Sequence, residues 1–249
     1  MKKRLDVLLL ERGLFDSRAK AQAVIMAGNV LVDGQKIDKA GTLTNEKSTV
    51  RILGSRLKYV SRGGLKLEKA LGEFGIDPCG RVCLDIGAST GGFTDCLLQN
   101  GAAKVYAVDV GYGQMDLKVR NDSRVVVIER TNARNLTPEA LYGKDGDKGP
   151  RASLAVIDVS FISLSKILPA IYALLSEKAE VAALVKPQFE AGRALVGKGG
   201  IVRDSKTHEL VLKNITASAK ETGFSFEGSC TSPIKGADGN IEFLIHLKK

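Results

Sequence analysis

A cluster of glycines directly after a short apolar run limits what this chain can fold into more than any other stretch. The run covers residues 82–86 and contains one charged side chain, Asp85, and three glycines then follow, Gly87, Gly91 and Gly92. A helical pattern begins after the last of them. Glycine lets a backbone turn sharply and lets a ligand lie against it, because it carries no Cβ. The stretch therefore predicts a strand, a tight turn and a helix that presents free N–H groups to a ligand.

A second acid, Asp109, ends the apolar run at residues 105–108, about twenty residues beyond the turn, where a carboxylate can accept hydrogen bonds from the ribose hydroxyls of a nucleoside. No Lys-Ser or Lys-Thr pair follows the glycines, which argues against a phosphate loop. An acid inside the first strand, here Asp85, distinguishes S-adenosylmethionine sites from dinucleotide sites. The alternative is a strand–turn–helix unit that binds no ligand. The predicted cofactor-binding residues are Asp85, Gly87, Ser89, Gly91, Gly92, Phe93 and Asp109.

Positive charge is concentrated in the first quarter of the chain. The 249 residues carry a formal net charge of +9. Residues 1–60 contain 12 basic and 6 acidic side chains, whereas residues 61–249 contain 25 and 22. Such an excess is typical of a surface that binds a polyanion, and nucleic acid is the natural partner. The alternative is that the charge serves solubility alone.

Several classes of protein do not fit the composition. No apolar run approaches the roughly 20 residues of a membrane helix, and the N-terminal apolar run is too short and too interrupted by charge for a signal peptide. The four cysteines form no C-x-x-C pair, and no His/Cys/Asp cluster has the spacing of metal ligands, so we expect no disulfide framework and no metal. Free thiols without an export signal predict a cytoplasmic protein that does not associate with membranes.

Residues 1–60 are predicted to form a small α+β module. A first helix ends at Gly13, Asp16-Ser17 can cap a second helix that runs from Arg18 to Ala27, and a hairpin with its turn at Asp33-Gly34 follows. The run from Arg18 to Gly34 resembles the small RNA-binding domain shared by a small-subunit ribosomal protein, pseudouridine synthases and tyrosyl-tRNA synthetases. That resemblance implies binding of structured RNA through phosphate and shape contacts, which agrees with the lack of an aromatic platform for single-stranded bases. The predicted RNA-binding residues are Arg4, Arg18, Lys20 and Arg62.

Residues 61–249 are predicted to form a second, larger domain. A polar linker at residues 54–64 leads into a helix that Ser61 can cap, and strand-like and helical patterns alternate from residue 81 onward. Alternation of this kind predicts a doubly wound, Rossmann-like α/β fold whose site lies at the carboxyl ends of the strands. Asp85, Asp109 and two further residues, Asp158 and Lys186, lie within or at the ends of such strands, so we expect them to share one pocket.

Lys186 ends an otherwise apolar strand, which is costly unless the charge is paired. Asp158 ends a neighbouring strand and can pair with it. The pair is either structural or holds a lysine whose proton affinity is tuned by its surroundings. Glu242 interrupts the last apolar strand, whereas the spacing around Lys66 alone favours a solvated lysine on an amphipathic helix. The two histidines, His208 and His246, are interpreted as structural or exposed.

Lys66, Asp158, Lys186 and Glu242 match, in their local sequence contexts, the K-D-K-E tetrad of the FtsJ-like ribose 2′-O-methyltransferases. With the N-terminal module, the whole chain resembles the two-domain rRNA 2′-O-methyltransferases historically named haemolysin A. The resemblance implies methyl transfer from S-adenosylmethionine to a ribose 2′-hydroxyl, of cytidine, in ribosomal RNA or a ribosomal subunit. It implies that Lys186 deprotonates or polarises the hydroxyl, that Asp158 and Glu242 orient the lysines, and that Lys66 positions the ribose or its phosphate. Asp85 would face the methionine end of the cofactor.

Two functions of other classes compete with this interpretation. The family name suggests a membrane-active haemolysin, but the sequence offers no export signal and no strongly amphipathic basic helix with aromatic residues. A non-catalytic ribosome-assembly factor could keep the fold and bind RNA, although the intact tetrad argues against it.

Overall fold

The chain divides into two compact units, Met1–Arg56 and Leu57–Lys249. The computed structural model describes residues 2–15, 17–53, 58–144, 149–236 and 239–249. Asp16 of the predicted helix cap and residues 54–57 of the predicted linker lie outside the described residues. Each unit has its own hydrophobic core and its own sheets.

The first unit contains two helices and two small antiparallel sheets within its described residues. Strand β2 pairs with β3 and β5, and β1 pairs with β4. Each strand is only three residues long, so β1 and β4 are too short to show an alternating apolar pattern in the sequence. The elements are β1 (Lys2–Arg4), α1 (Leu5–Glu11), α2 (Arg18–Met26), β2 (Val30–Val32), β3 (Gln35–Ile37), β4 (Leu43–Asn45) and β5 (Val50–Ile52).

Local sequence explains the turns of this unit. The Ser17 hydroxyl accepts a hydrogen bond from the Lys20 amide, as a residue that caps a helix does. Asp33 and Gly34 both have positive φ angles, 50° and 83°, which is the geometry of a two-residue hairpin turn. The predicted second helix and hairpin are therefore confirmed. Apolar residues of both helices and of β2 form the core: Leu5, Leu9, Ala21, Ile25 and Val30.

The second unit is built on a seven-stranded sheet with the order β11-β12-β10-β9-β6-β7-β8. The five strands β10, β9, β6, β7 and β8 are parallel to one another, and β12 and β11 join antiparallel at one edge. The predicted doubly wound, mostly parallel α/β fold is therefore confirmed. The strands are β6 (Val82–Ile86), β7 (Lys104–Val108), β8 (Val125–Ile128), β9 (Ala152–Ile157), β10 (Leu175–Val185), β11 (Ser225–Thr231) and β12 (Phe243–Lys248).

Helices pack against this sheet, and each of its two faces carries an apolar core of its own. The order of the strands reverses at β6, since β7 and β8 lie on one side of it and β9 and β10 on the other. Ligands bind at the carboxyl ends of the strands beside such a reversal. The helices are α3 (Gly63–Phe74), α4 (Gly92–Gln99), α5 (Leu117–Arg120), α6 (Pro138–Tyr142), α7 (Leu168–Leu174), α8 (Pro187–Glu190) and α9 (Ser205–Thr222).

Three local predictions are corrected. Ser61 does not cap α3 with its side chain: the helix begins at Gly63, and the Ser61 carbonyl accepts a hydrogen bond from the Gly64 amide instead. The Ser61 hydroxyl packs against Gly92, where an added Cβ would lie 2.2 Å from its oxygen. The predicted helix at residues 163–175 is a short 3₁₀ turn followed by α7, and Glu242 lies immediately before β12 rather than inside it. None of the described helices is long and apolar enough to span a bilayer.

Candidate active site

A cleft of about 270 Å³ opens at the carboxyl edge of the sheet, where the strand order reverses. Its walls come from the glycine turn after β6, from the start of α3, from the end of β9 and from the segment before β12. The residues that line it are Ser61, Arg62, Gly63, Lys66, Gly87, Ala88, Ser89, Thr90, Gly92, Phe93, Asp158, Ile234, Lys235 and Gly236.

Lys186 and Asp158 form an ion pair at the ends of β10 and β9. The Lys186 Nζ lies 2.6 Å from Asp158 Oδ1, in an ion-pair contact that does not have hydrogen-bond geometry. The same Nζ donates a hydrogen bond to Ser160 Oγ at 2.9 Å. Only 9% of Lys186 is exposed. The pairing that the sequence suggested for these strand-end residues is therefore present.

Lys66 and Glu242 form a second pair, although 176 positions separate them along the chain. The Lys66 Nζ donates to Glu242 Oε2 at 2.6 Å, and both side chains are buried. The interpretation of Lys66 as a solvated lysine, based on spacing alone, is therefore wrong. Gly236 covers the carboxylate, because an added Cβ there would lie 2.0 Å from Glu242 Oε1. One member of each pair lines the cleft: Asp158 in the first, Lys66 in the second.

The glycine turn brings the backbone of β6 against that of β9. Gly87 has a φ of +83°, and a Cβ there would lie 2.4 Å from the carbonyl oxygen of Asp158, so no other residue fits. Gly91 also has a positive φ, +88°. The helices that begin at Gly63 and Gly92 both point their N-termini at the cleft. Unpaired N–H groups and the helix dipoles make such a place favourable for an anion.

Asp109 ties the glycine turn to the end of β7. Its Oδ2 accepts a hydrogen bond from the Ser89 amide at 2.8 Å, and its Oδ1 accepts one from the Gly111 amide at 2.6 Å. Both oxygens keep lone pairs for further donors. The carboxylate is thus held rigidly at the position where the sequence predicted an acceptor for ribose hydroxyls.

Asp85 lies beneath the turn and not on the surface of the cleft. Its side chain is fully buried, and the Thr94 hydroxyl donates to its Oδ2 at 2.6 Å. The other oxygen, Oδ1, has no hydrogen-bond partner among the described residues. Burial, with smaller contributions from the charges of Asp158 and Asp109, raises the pKa of Asp85 to about 7. The position of Asp85 along the chain predicted that it would lie near the site. That position carries no information on how deeply the side chain is buried.

Phe161 is a feature of this edge that the sequence pattern did not single out. Its side chain is 90% exposed, and its backbone has a φ of +65°, which is strained for a residue with a bulky side chain. Its ring centroid lies 5.0 Å from that of Phe189, over which the Lys186 ammonium is also placed. In sequence, an aromatic residue three positions after the strand-end Asp158 was the available signal.

The predicted RNA-binding residues occupy two places. Arg4, Arg18 and Lys20 belong to the first unit, where both arginines donate hydrogen bonds to the buried carboxylate of Asp6. Arg62 belongs to the second unit, is exposed, and lines the cleft. The sequence did not identify Asp6.

The described residues contain no group of three or more His, Cys, Asp or Glu side chains that could hold a metal ion. Both histidines are buried. His208 Nε2 lies 3.0 Å from the carbonyl oxygen of Val202, and His246 stacks on Phe74 beside Glu180. Neither lines the cleft.

A mostly parallel sheet with a glycine turn at its reversal and an acid after the next strand is the arrangement of the class of Rossmann-like domains that bind a nucleoside cofactor. Comparison with known families agrees with this class. The FtsJ-like methyltransferase family matches residues 59–249, and the S4 domain family matches residues 3–50. The chain therefore belongs to the FtsJ-like methyltransferase family, carries an S4 domain before the catalytic domain, and uses S-adenosylmethionine as its cofactor.

Relatives that align over nearly the whole chain are known. Hemolysin A of Brachyspira hyodysenteriae is 48% identical over 244 residues, which are 98% of this chain and 99% of that protein. The 16S/23S rRNA (cytidine-2′-O)-methyltransferase TlyA of Mycobacterium tuberculosis is 46% identical over 246 residues, 98% of this chain and 89% of that protein. A solved structure of a Streptococcus thermophilus protein is 50% identical, with a TM-score of 0.77, and covers 100% of this chain and 88% of that chain.

The donors and acceptors of the cleft fit S-adenosylmethionine. The two helix N-termini suit the carboxylate of its methionine part. Asp109 provides acceptors for ribose hydroxyls beside the turn. Asp85 Oδ1, which has no hydrogen-bond partner among the described residues, lies beneath the turn and does not line the cleft.

Proposed function

We propose that this protein transfers a methyl group from S-adenosylmethionine to the 2′-hydroxyl of a cytidine ribose in ribosomal RNA. The observation that supports it most directly is the assembly of two lysine–carboxylate pairs around the cleft beside the glycine turn. The Mycobacterium tuberculosis relative is named for the same reaction. Since the substrate is ribosomal RNA, we also infer that the protein acts in the cytoplasm.

The acceptor determines what the protein must do. A ribose hydroxyl is a poor nucleophile near neutral pH, and methyl transfer is an in-line displacement, so the hydroxyl oxygen must be aligned and its proton removed or shared. S-adenosylmethionine supplies an electrophilic methyl group on a sulfonium. Alignment of the hydroxyl oxygen and removal of its proton are left to the residues of the chain.

Lys186 is the group that we assign to the hydroxyl proton. For Nζ to accept that proton it must first release one to solvent, and the contact with Asp158 Oδ1, 2.6 Å away, holds the amine in place. Ser160 Oγ, a second hydrogen-bond partner, limits the directions in which Nζ can point. Asp158 and Ser160 thus fix the orientation of the amine that takes the hydroxyl proton.

Lys66 is assigned a positioning role at the opposite wall of the cleft. Its buried contact with Glu242 fixes Nζ, and the side chain still lines the cleft. A fixed ammonium beside Arg62 and the N-terminus of α3 is suited to hold a ribose oxygen or the adjacent phosphate. We assign recognition of the RNA chain to residues 1–60 and chemistry to residues 61–249.

Phe161 offers a surface for the target base. Sequence-specific recognition of RNA uses unpaired bases that stack on aromatic rings, and chemistry on a nucleotide inside a helix requires that it leave the stack. An exposed ring that packs on Phe189, over which the Lys186 ammonium lies, is suited to receive such a base. No role for a metal ion is needed in this scheme.

Transfer of a labelled methyl group to unmodified 16S and 23S rRNA, or to ribosomal subunits, tests the proposal. The wild-type protein is expected to label the RNA in a reaction that depends on S-adenosylmethionine. Hydrolysis of the product should yield 2′-O-methylcytidine. RNA that is bound but never labelled would leave only an assembly factor, and leakage of liposomes at low protein concentration would revive the membrane-active alternative.

A further inference from the structure

Asp6, in the first turn of α1, is a charged residue with no exposed surface. Arg4 donates to it with two nitrogens: Nε lies 3.1 Å from Oδ1, and Nη2 lies 3.1 Å from Oδ2. This is the two-pronged geometry in which a guanidinium binds a carboxylate most specifically. Gly41 lies against the same guanidinium, because an added Cβ there would be 3.3 Å from Nη1. Arg4 is therefore fixed by its partner and by bare backbone.

A second arginine binds the same carboxylate. Arg18, at the start of α2, donates from Nε to Asp6 Oδ2 at 2.9 Å, and Gln22 donates to that oxygen at 2.7 Å. The Val7 amide donates to Oδ1 at 3.0 Å. The hydrogen bonds from Arg4, followed by those from Gln22 and Arg18, hold the pKa of Asp6 well below its usual range. The carboxylate is therefore charged throughout the physiological pH range.

The contact with Asp6 does not use every N–H group of the two arginines. Their side chains remain 48% and 49% exposed, while Asp6 is 0% exposed. Among the described residues, Arg18 donates to a carboxylate only from Nε, and Arg4 Nη1 has no carboxylate partner. Because Arg4 Nη2 and Arg18 Nε share one oxygen, the two guanidiniums are neighbours. Two positive charges around one negative charge leave a net charge of +1.

We propose that Asp6 is the positioning residue of a phosphate-binding site, in which it holds Arg4 and Arg18 side by side so that their remaining N–H groups bind one backbone phosphate of structured RNA. Without the carboxylate, two adjacent guanidiniums repel each other and their long side chains lose a common orientation. The proposal rests on the proposed function, since it assumes that the S4 unit binds ribosomal RNA.

The substitution Asp6→Asn tests the proposal sharply, because a pure charge effect and the loss of arginine positioning predict opposite changes in RNA affinity. It raises the net charge by one unit, so binding governed by charge alone becomes tighter. If Asp6 positions the arginines, binding of unmodified 16S and 23S rRNA transcripts weakens about tenfold. The slope of log affinity against log salt also becomes shallower by about 0.7–0.9 for the lost phosphate contact. Asp38→Asn adds the same charge at an exposed position of the same unit and should not weaken binding.

A second comparison separates positioning from a purely structural role. In a protein that already carries Arg4→Ala and Arg18→Ala, adding Asp6→Asn should not weaken RNA binding, whereas damage to the fold would weaken it further. Should Asp6→Asn fail to fold, Arg18→Lys decides the matter, since it keeps the charge and loses the Nε contact. Weaker binding by Arg18→Lys, with S-adenosylmethionine affinity intact, supports the proposal, and unchanged RNA affinity overturns it.

A folded Asp6→Asn protein that binds RNA as tightly as the wild type, or more tightly, overturns the proposal. So does further weakening in the background without the arginines. These results are distinct from failure of the proposed function. A wild-type protein that binds RNA but transfers no methyl group refutes the function, whereas methyl transfer together with an unaffected Asp6→Asn protein refutes only the role of Asp6.

Discussion

The two units of this protein use ion pairs in opposite ways. In the S4 unit one buried carboxylate, Asp6, holds two arginines that stay half exposed. In the methyltransferase unit the lysines themselves are buried, since Lys66 and Lys186 have side-chain exposures of 11% and 10%, and each contacts a carboxylate.

This difference matches two different tasks. An exposed guanidinium keeps its N–H groups directed at solvent, where they can bind a phosphate, and remains charged under all conditions. A buried ammonium that contacts a carboxylate is held at one position, where it can meet a substrate atom in a fixed orientation. Exposed arginines therefore suit binding of the RNA chain, and buried lysines suit alignment of the reacting ribose. The following predictions test that division, starting with the largest effect.

Lys186→Ala should lower the rate of methyl transfer by about a thousandfold, because it removes the group assigned to the hydroxyl proton. S-adenosylmethionine affinity should stay near the wild-type value, as measured by calorimetry on the same protein. Lys69→Ala is the matched control, since Lys69 is an exposed lysine paired with Glu73 on α3. Normal turnover by Lys186→Ala would remove the catalytic assignment.

Glu242→Gln should lower the free energy of unfolding by about 4 kcal/mol, because it leaves the buried ammonium of Lys66 without its counter-ion. Replacing both members, as in Lys66→Met with Glu242→Leu, should restore much of the stability without activity. Breaking the exposed pair by Glu73→Gln should cost at most about 0.5 kcal/mol. Urea denaturation measures all three, and equal costs for the two single changes would show that Lys66 is solvated in solution.

Asp85→Asn should stabilise the protein by about 4 kcal/mol at pH 8. The pKa of Asp85 is raised to about 7, so between about pH 4 and pH 7 the folded state keeps a proton that the unfolded state has released. Above pH 7 the folded state must hold a buried carboxylate, which costs stability. Its contribution makes wild-type stability fall as the pH rises from about 4 to 7 and then stay level. The two proteins should be equally stable near pH 4. Denaturation curves across this range check the prediction, and parallel pH profiles would contradict it.

Phe161→Ala should lower kcat/KM for RNA by about tenfold, equivalent to the loss of one base–aromatic stack. S-adenosylmethionine affinity should not change, and Phe161→Tyr should retain activity because the ring is kept. Stability should stay unchanged, because alanine keeps the Cβ that strains the backbone at this positive φ and the lost ring is 90% exposed. An effect on cofactor affinity equal to that on RNA would place the ring in the cofactor site instead.

The sequence predicted the sheet and most of the site because these depend on local patterns. Apolar runs that end at Asp109, Asp158 and Lys186 must bring those residues to one edge of a parallel sheet. The contact between Lys66 and Glu242 has no such local signal, since it depends on how α3 packs against the segment before β12. Only the family resemblance placed Lys66 at the site.

The sequence pattern also carried no information on how deeply a side chain is buried. Asp6 reads as an ordinary acid in the first turn of a helix, where it favours the dipole, and nothing nearby shows that two arginines enclose it. Asp85 has the spacing of a cofactor ligand but lies one layer below the cleft. Phe161 belongs to an apolar stretch that suggests core, yet its positive φ turns the ring to solvent.

Mapping of ribose methylation in ribosomal RNA tests the central claim most directly. RNA is compared from cells that lack the gene and from the same cells supplied with either the wild-type protein or Lys186→Ala. The expected result is a 2′-O-methylcytidine that disappears with the gene and returns only with the wild-type protein. An unchanged methylation map, or a map restored equally by Lys186→Ala, would contradict the assignment of the buried lysine pairs to methyl transfer.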